Sequence, residues 1–181
     1  MEKKENRKIR ITRMVLQDSL IELMRTKSVL NITIKDICEL ADMSRSTFYA
    51  HYKDQYDLLK QIEQDTLAYF ENMLIIYNNK LTRKEITQMI EEMLTYIANN
   101  SNSIQVLLSE NGDINFQKKM FQHFTNHQHV IKYFYEKQKG NETYFLVFLV
   151  HGAIGLVQHW LKNNTEIPVS QLAKMLIKWT E

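Results

Sequence analysis

The sequence predicts an all-α protein of about nine helices, and three features of its composition and pattern support that class. Apolar residues recur at the three- and four-residue spacing of one helix face over most of the chain. Glycine and proline are scarce, with four and one among 181 residues, whereas a β-sandwich or barrel needs many tight turns. No convincing stretch alternates apolar and polar residues as a half-buried strand does.

Composition excludes several classes of protein before any motif is considered. The hydrophobic fraction is 44% and the charged fraction is 24%, with a net charge of +2, which is globular composition and not disorder. A single cysteine excludes an internal disulfide framework and suits a reducing setting. The chain starts with charged residues rather than a signal segment, and its most apolar run, 144–157, is shorter than the roughly 20 residues that span a bilayer. We therefore expect a cytoplasmic protein that does not enter the membrane.

The helices are placed by apolar spacing and by the residues that begin and end them. Thr33, Ser44, Asp54 and Thr82 are plausible N-caps, and clusters of Asn, Ser and Gly mark the breaks. The predicted helices cover residues 7–26, 33–41, 44–52, 54–78, 83–99, 104–108, 114–138, 142–163 and 169–179. We expect an N-terminal domain of residues 1–53 and a helical C-terminal domain of residues 54–181.

Residues 33–52 carry the pattern with the clearest functional meaning. Two short helices separated by a turn at 41–44 are typical of a helix-turn-helix, whose second helix enters the major groove of DNA. Apolar positions can pack the two helices together, while donors and acceptors remain outward on the second: Arg45, Ser46, Thr47, Tyr49 and His51. No acidic residue lies between Ser44 and Lys53, as expected of a surface that faces phosphates. Six basic against two acidic residues within 1–13 add a positive arm.

Residues 32–59 resemble the N-terminal domain of the TetR family of bacterial one-component transcriptional regulators. The resemblance extends over about residues 9–62 and rests on Thr33, Ile37, Ala41, Ser44, the Thr-Phe-Tyr run at 47–49, Tyr52 and the Leu-Leu pair at 58–59. It implies a homodimer that binds operator DNA, usually as a repressor, and senses a small molecule in a divergent C-terminal domain, with no enzymatic activity and no cofactor. Ile-Cys at 37–38, the residues at 47–52 and the glycines at 152 and 155 look most like regulators of dihydroxyacetone kinase operons.

The resemblance also implies roles for individual residues of the motif. Those expected nearest the bases open the recognition helix: Ser44, Arg45, Ser46 and Thr47. Thr33 is expected to cap the preceding helix and contact a phosphate, and Lys35 to reach a phosphate or a base edge. Those expected on the DNA backbone are Tyr49, His51 and Lys53.

The chain departs from the family pattern at two positions. Asp42 stands where the family usually has glycine, and Asp tolerates a left-handed turn better than most residues. Gln55 stands where the family often has lysine, so one charged phosphate contact is expected to be missing and the salt dependence of binding to be weaker.

The helix predicted over 142–163 is apolar nearly all round, and such a helix must be buried on every face. Glycines 152 and 155 would let another helix approach closely. Together with the last helix, it predicts an intermolecular four-helix bundle, although burial inside one chain is the alternative. The predicted interface residues are Phe148, Gly152, Gly155, Leu156, His159, Trp160, Leu172, Met175, Leu176 and Trp179.

A ligand cavity is expected between the middle helices, because methionine and aromatic side chains suit adaptable apolar sites. The candidates are Met73, Tyr77, Met93, Tyr96, Met120 and Phe124, for which ordinary core is an equal alternative. Two other functions remain open: a regulator or activator whose C-terminal domain binds a partner protein, and a metal sensor that uses His123, His127 and His129. No nucleophile–base pair, phosphate loop or carboxylate pair indicates an enzyme.

Overall fold

The structure, a computed structural model, describes residues 7–77, 82–135 and 141–180. Within these residues all secondary structure is helical, which confirms the predicted class. Ten α-helices are present: α1 Arg7–Met24, α2 Ile34–Leu40, α3 Arg45–Tyr49, α4 Gln55–Ile76, α5 Arg83–Asn99, α6 Ser101–Leu107, α7 Ile114–Asn126, α8 Gln128–Tyr135, α9 Glu142–Lys162 and α10 Val169–Thr180. A single 3₁₀ turn, Val29–Asn31, which the sequence did not predict, lies between α1 and α2.

The four predicted N-caps are confirmed by their hydrogen bonds. The side chain of Thr33 accepts from the Asp36 amide at 3.2 Å, and that of Asp54 accepts from the Asp57 amide at 2.8 Å. Ser44 and Thr82 cap α3 and α5 in the same way. At Thr33 and Thr82 the acidic residue three positions on returns a bond to the cap amide, which completes a capping box.

The turn between α2 and α3 has the geometry that its sequence predicts. Asp42 adopts a left-handed φ of 50°, which confirms that Asp can replace glycine there. The Asp42 amide donates to the Glu39 carbonyl at 3.4 Å, and the Met43 amide donates to the Cys38 carbonyl at 2.9 Å. These two bonds form a Schellman motif, which satisfies the last carbonyls of α2 and turns the chain into α3.

The helix predicted over 114–138 is two helices, which raises the count from nine to ten. The break is at His127, whose φ of −87° and ψ of 76° leave the helical region. No proline or glycine marks this break, so local sequence rules do not detect it. Residues 136–138 of the prediction lie outside the described residues.

Helix α1 joins the two parts of the molecule. It packs against α2 and the start of α4 around Leu16, Leu20, Phe48 and Leu58, all of which are fully buried. The other end of α1 meets α6, where Arg25 donates to the side chain of Asn102 at 2.5 Å. Helix α4 continues from the helix-turn-helix into the body, where α7 lies against it and α10 packs on α5. Both α4 and α6 therefore contact the helix-turn-helix region and the helices of the body.

Candidate DNA interface and effector cavity

The nine residues predicted to meet DNA lie on the surface of the helix-turn-helix. Seven are exposed and two, Thr47 and His51, are half-buried. Phe48, between them on α3, is fully buried, and its ring meets that of Tyr49 edge-on at 5.8 Å. Burial of Phe48 therefore fixes α3, while Tyr49 remains 57% exposed beside it.

A cluster of hydroxyl groups opens α3. Ser44 Oγ accepts from the Thr47 amide at 3.1 Å and lies 2.8 Å from Ser46 Oγ and 2.9 Å from Thr47 Oγ1. Hydroxyl groups both donate and accept, so the cluster can meet base edges or phosphate oxygens. Arg45, exposed beside it, supplies the planar donor fork that suits guanine.

The acidic residues nearest this face are partly neutralised by local contacts. The Asp36 carboxylate accepts from the Thr33 amide at 2.9 Å and from Lys27 Nζ at 3.2 Å. The Thr33 amide first, and Lys27 second, hold the pKa of Asp36 below its ordinary value. Glu39, exposed on α2, lies 3.5 Å from Lys35 in an ion pair that binding to a phosphate would have to replace. Asp42 is exposed at the turn.

A cavity of about 170 Å³ lies in the body between α4 and the later helices. Of the six candidate pocket residues, Met93, Met120 and Phe124 line it. The other three candidates are absent from its wall. Met73 is buried elsewhere in the core, the Tyr77 hydroxyl donates to Glu92 at 3.1 Å, and Tyr96 stacks on Tyr69 with ring centres 3.6 Å apart.

Much of the cavity wall was missed by sequence reasoning. Helices α8, α9 and α10 contribute Val130, Phe134, Leu149, Ala153 and Leu176 among others. Their apolar periodicity marks them as inward-facing, but periodicity cannot tell cavity from packed core. The same limit applies to Met73 and Tyr96, which the sequence pattern places among the cavity candidates and which lie outside its wall.

The outer face of α9 is apolar and uncovered. Tyr144 is 81% exposed and Phe148 is 69% exposed, and Gly152 and Gly155 have open space where a Cβ would stand. Trp179 of α10 is also exposed. By length and composition α9 could cross a membrane, and only 22% of its most apolar 18-residue window is buried. Exposed apolar patches of this kind are typical of surfaces that contact another protein, a membrane or a ligand.

Two residues predicted for the dimer interface are buried within the single chain. Trp160 is 4% exposed and its indole donates to the Ile167 carbonyl at 2.8 Å, and Leu172 is fully buried. Leu176 is half-buried and lines the cavity, and Leu156 and Met175 are half-buried too. The exposed part of the predicted set is therefore Phe148, Gly152, Gly155, His159 and Trp179.

Glu71 of α4 bridges two of the three histidines singled out in the sequence. Its carboxylate oxygens lie 2.7 Å from His123 Nδ1 and 3.1 Å from His127 Nε2. The hydrogen bond from His123, as the largest cause, holds the pKa of Glu71 below its ordinary value. The His129 side chain lies outside the described part of the chain, and no group of three metal-ligating residues is found within that part.

In a second polar contact between α4 and α7, the carboxylate is buried and the ammonium is partly exposed. Glu63 is 3% exposed, and its Oε2 accepts from Lys119 Nζ at 3.3 Å, while Oε1 has no partner. Burial raises the pKa of Glu63 above its ordinary value. Neither this pair nor the bridge at Glu71 could be read from the sequence, because their partners are more than 50 positions apart.

Comparison with known proteins points to one family. A family model described as a transcriptional regulator C-terminal region, of TetR type, matches residues 84–181. An uncharacterised helix-turn-helix regulator from Bacillus subtilis, YxbF, is 30% identical over 101 residues, which are 54% of this chain. The match spans only 27% of that relative's length.

Solved structures share the fold over nearly the whole chain. A TetR regulator from Streptococcus agalactiae aligns with a TM-score of 0.67 and 23% identity over 97% of this chain and 96% of its own. FadR from Bacillus subtilis, solved with stearoyl-CoA, aligns with 0.67 and 15% identity over 92% and 96%. The dihydroxyacetone kinase operon activator DhaS aligns with 0.58 and 16% identity over 94% of each chain. Because these likenesses show the fold alone, the expected dihydroxyacetone subgroup gains no specific support.

Proposed function

The chain belongs to the TetR family of transcriptional regulators, so it is a helix-turn-helix regulator and not an enzyme, and we propose that it represses transcription by binding operator DNA as a homodimer in the cytoplasm. The observation that carries the proposal is the surface of α3. There an exposed hydroxyl cluster and Arg45 stand together on a helix without acidic residues, which is anchored by a buried Phe48. A small molecule in the body would release the DNA.

DNA selection followed by fluorescence anisotropy tests this proposal. A pool of random duplexes should yield a site with two half-sites about one helical turn apart, as a twofold dimer requires. Arg45→Ala should reduce discrimination at one base pair of each half-site by about 1–3 kcal/mol. Lys118→Ala is the matched control, since Lys118 is an exposed cation on α7, far along the chain from the motif. Equal affinity of the wild type for selected and random DNA would refute the proposal.

We place the boundary between the DNA-binding and effector domains at residues 53 and 54. Two helices, α4 and α6, connect the cavity with the DNA-binding domain and would transmit the effect of a ligand. Helix α4 starts directly after the motif, and its Phe70 lines the cavity. Leu108, at the end of α6, also lines the cavity, and α6 packs on α1. A ligand that favours one arrangement of α4 and α6 changes the spacing of the two recognition helices, provided that its affinities for the two arrangements differ.

We propose that the exposed face of α9 is the dimer interface, to which Trp179 of α10 also contributes. In the single chain nothing lies within 4 Å of a Cβ at Gly152, so Gly152→Ala should stabilise the monomeric helix by up to about 1 kcal/mol. If two α9 helices meet there, the same substitution should weaken the dimer. Sedimentation velocity over a concentration series measures the strength of the dimer, and thermal unfolding measures the stability of the helix. A dimer unaffected by both Gly152→Ala and Phe148→Glu would show that the interface lies elsewhere.

A further inference from the structure

We propose that the effector is a small, uncharged, apolar molecule about the size of a monocyclic aromatic compound, an inference that rests on the proposed effector function of the cavity. It depends on three observations about the cavity wall: its chemistry, the state of the polar groups beside it, and its volume.

The chemistry of the wall excludes a buried charge. Among the described residues, 21 line the cavity; all of these but Thr180 have apolar side chains, and none of the 21 is ionisable. An ion transferred into such surroundings without a partner costs several kcal/mol. The ligand must therefore be neutral where it contacts the wall.

The polar groups beside the cavity already have partners from other parts of the chain. The Thr180 hydroxyl donates to the Ile177 carbonyl at 2.9 Å. The Leu108 carbonyl, at the end of α6, accepts from Gln158 at 2.6 Å and from Gln117 at 3.2 Å. Two side-chain amides thus occupy this carbonyl, and a ligand rich in hydroxyl groups would find few free partners here.

Glu63 is a candidate for recognition of a cation, because one of its oxygens is buried without a partner. It lies on the same face of α4 as Phe70, two helical turns earlier, but it is not among the residues of the wall. Its other oxygen is held by Lys119. An amine in the cavity would therefore lack a direct contact with Glu63, which is a prediction that a probe can test.

The volume limits the size of the ligand. An engineered apolar cavity of about 150 Å³ stays dry and binds benzene, and the cavity here measures about 170 Å³. A long acyl chain such as that of stearoyl-CoA exceeds this volume, so we expect it to bind less tightly than a monocyclic compound. Three methionines of the wall, Met89, Met93 and Met120, have flexible side chains that can adjust to small differences in ligand shape.

The test measures binding of three probes of nearly equal size to the full-length protein by isothermal titration calorimetry. Toluene should bind, whereas benzoate and benzylamine, which carry one negative and one positive charge, should bind roughly a hundredfold more weakly or not at all. Toluene should also release the selected operator DNA in the anisotropy assay. Equal or tighter binding of benzoate or benzylamine would overturn the inference, as would tighter binding of stearoyl-CoA than of toluene.

Two substitutions change the cavity in opposite directions. Ala153→Phe fills it and should abolish toluene binding, whereas Ala68→Phe, at an exposed position of α4 outside the wall, should leave it unchanged. Phe124→Ala enlarges the cavity and should shift the preference from toluene to butylbenzene, a gain that a misfolded variant cannot show. Toluene binding that persists in Ala153→Phe would place the ligand elsewhere and overturn the inference.

The outcomes separate this inference from the proposed function. Operator binding with no response to any apolar probe would overturn the ligand class and leave the DNA-binding function intact. Toluene binding without recognition of any operator would overturn the proposed DNA-binding function and leave the ligand class intact.

Discussion

Thr33 is predicted to serve both the fold and DNA binding, and substitutions can separate the two roles. Its Oγ1 accepts from the Asp36 amide as the N-cap of α2, and the exposed hydroxyl can turn its hydrogen from the Asp36 carboxylate to a phosphate. Thr33→Ala removes both functions and should destabilise the protein by about 1 kcal/mol. Thr33→Asp keeps a capping side chain but sets a second carboxylate beside Asp36, and it places a negative charge where the phosphate is expected.

The magnitude for Thr33→Asp follows from Coulomb's law. Two like charges about 4 Å apart in water repel by about 1 kcal/mol, so the two protomers of a dimer lose about 2 kcal/mol. That loss weakens operator binding about thirtyfold. Anisotropy titrations give the affinity, and denaturant unfolding gives the stability.

Thr82 offers a matched control for Thr33. It caps α5 with the same reciprocal capping box, completed by Glu85, and it lies about 30 residues after the helix-turn-helix in the sequence. Thr82→Asp should therefore change stability as Thr33→Asp does, including any repulsion from the neighbouring acid, with no effect on DNA affinity. The reasoning fails if Thr33→Asp binds operator as tightly as the wild type, or if Thr82→Asp loses the same affinity.

Three further substitutions test the polar contacts and one turn. Glu63→Gln should leave the unfolding free energy at pH 7 equal or about 1 kcal/mol higher, because it removes a buried carboxylate whose raised pKa lowers stability as pH rises. The remaining Lys119 is partly exposed and stays hydrated. A clear loss of stability in urea unfolding would contradict this. Because the pKa of Glu71 is lowered, its contribution to stability is complete above the ordinary value of 4.5 and is lost as pH falls through the lower folded-state value. The stability difference between wild type and Glu71→Gln should therefore shrink on acidification below pH 4.5. A constant difference would count against this reasoning. Gly112→Ala would bring a Cβ to the Leu107 carbonyl oxygen and should cost about 1–3 kcal/mol in thermal unfolding, whereas an unchanged melting temperature would mean that the turn can move aside.

Local chemistry in the sequence was enough for the helix class and the helix-turn-helix. The N-caps, the left-handed Asp42 and the buried Phe48 depend on residues within a few positions of one another, and each lies as predicted. The outward position of Arg45 and Tyr49 followed for the same reason, since burial of one face of a short helix exposes the other.

Long-range packing decided the rest. The break at His127 has no proline or glycine to announce it, and it lies where the two imidazoles of α7 reach Glu71 of α4. Trp160, which the apolar pattern places between two chains, is buried within one, where its indole donates to the Ile167 carbonyl across the turn after α9. Met73 and Met93 have the same chemistry, yet only Met93 lines the cavity. A sequence determines which face of a helix is apolar, but only the tertiary structure determines whether that face meets a neighbouring helix, a cavity or a second chain.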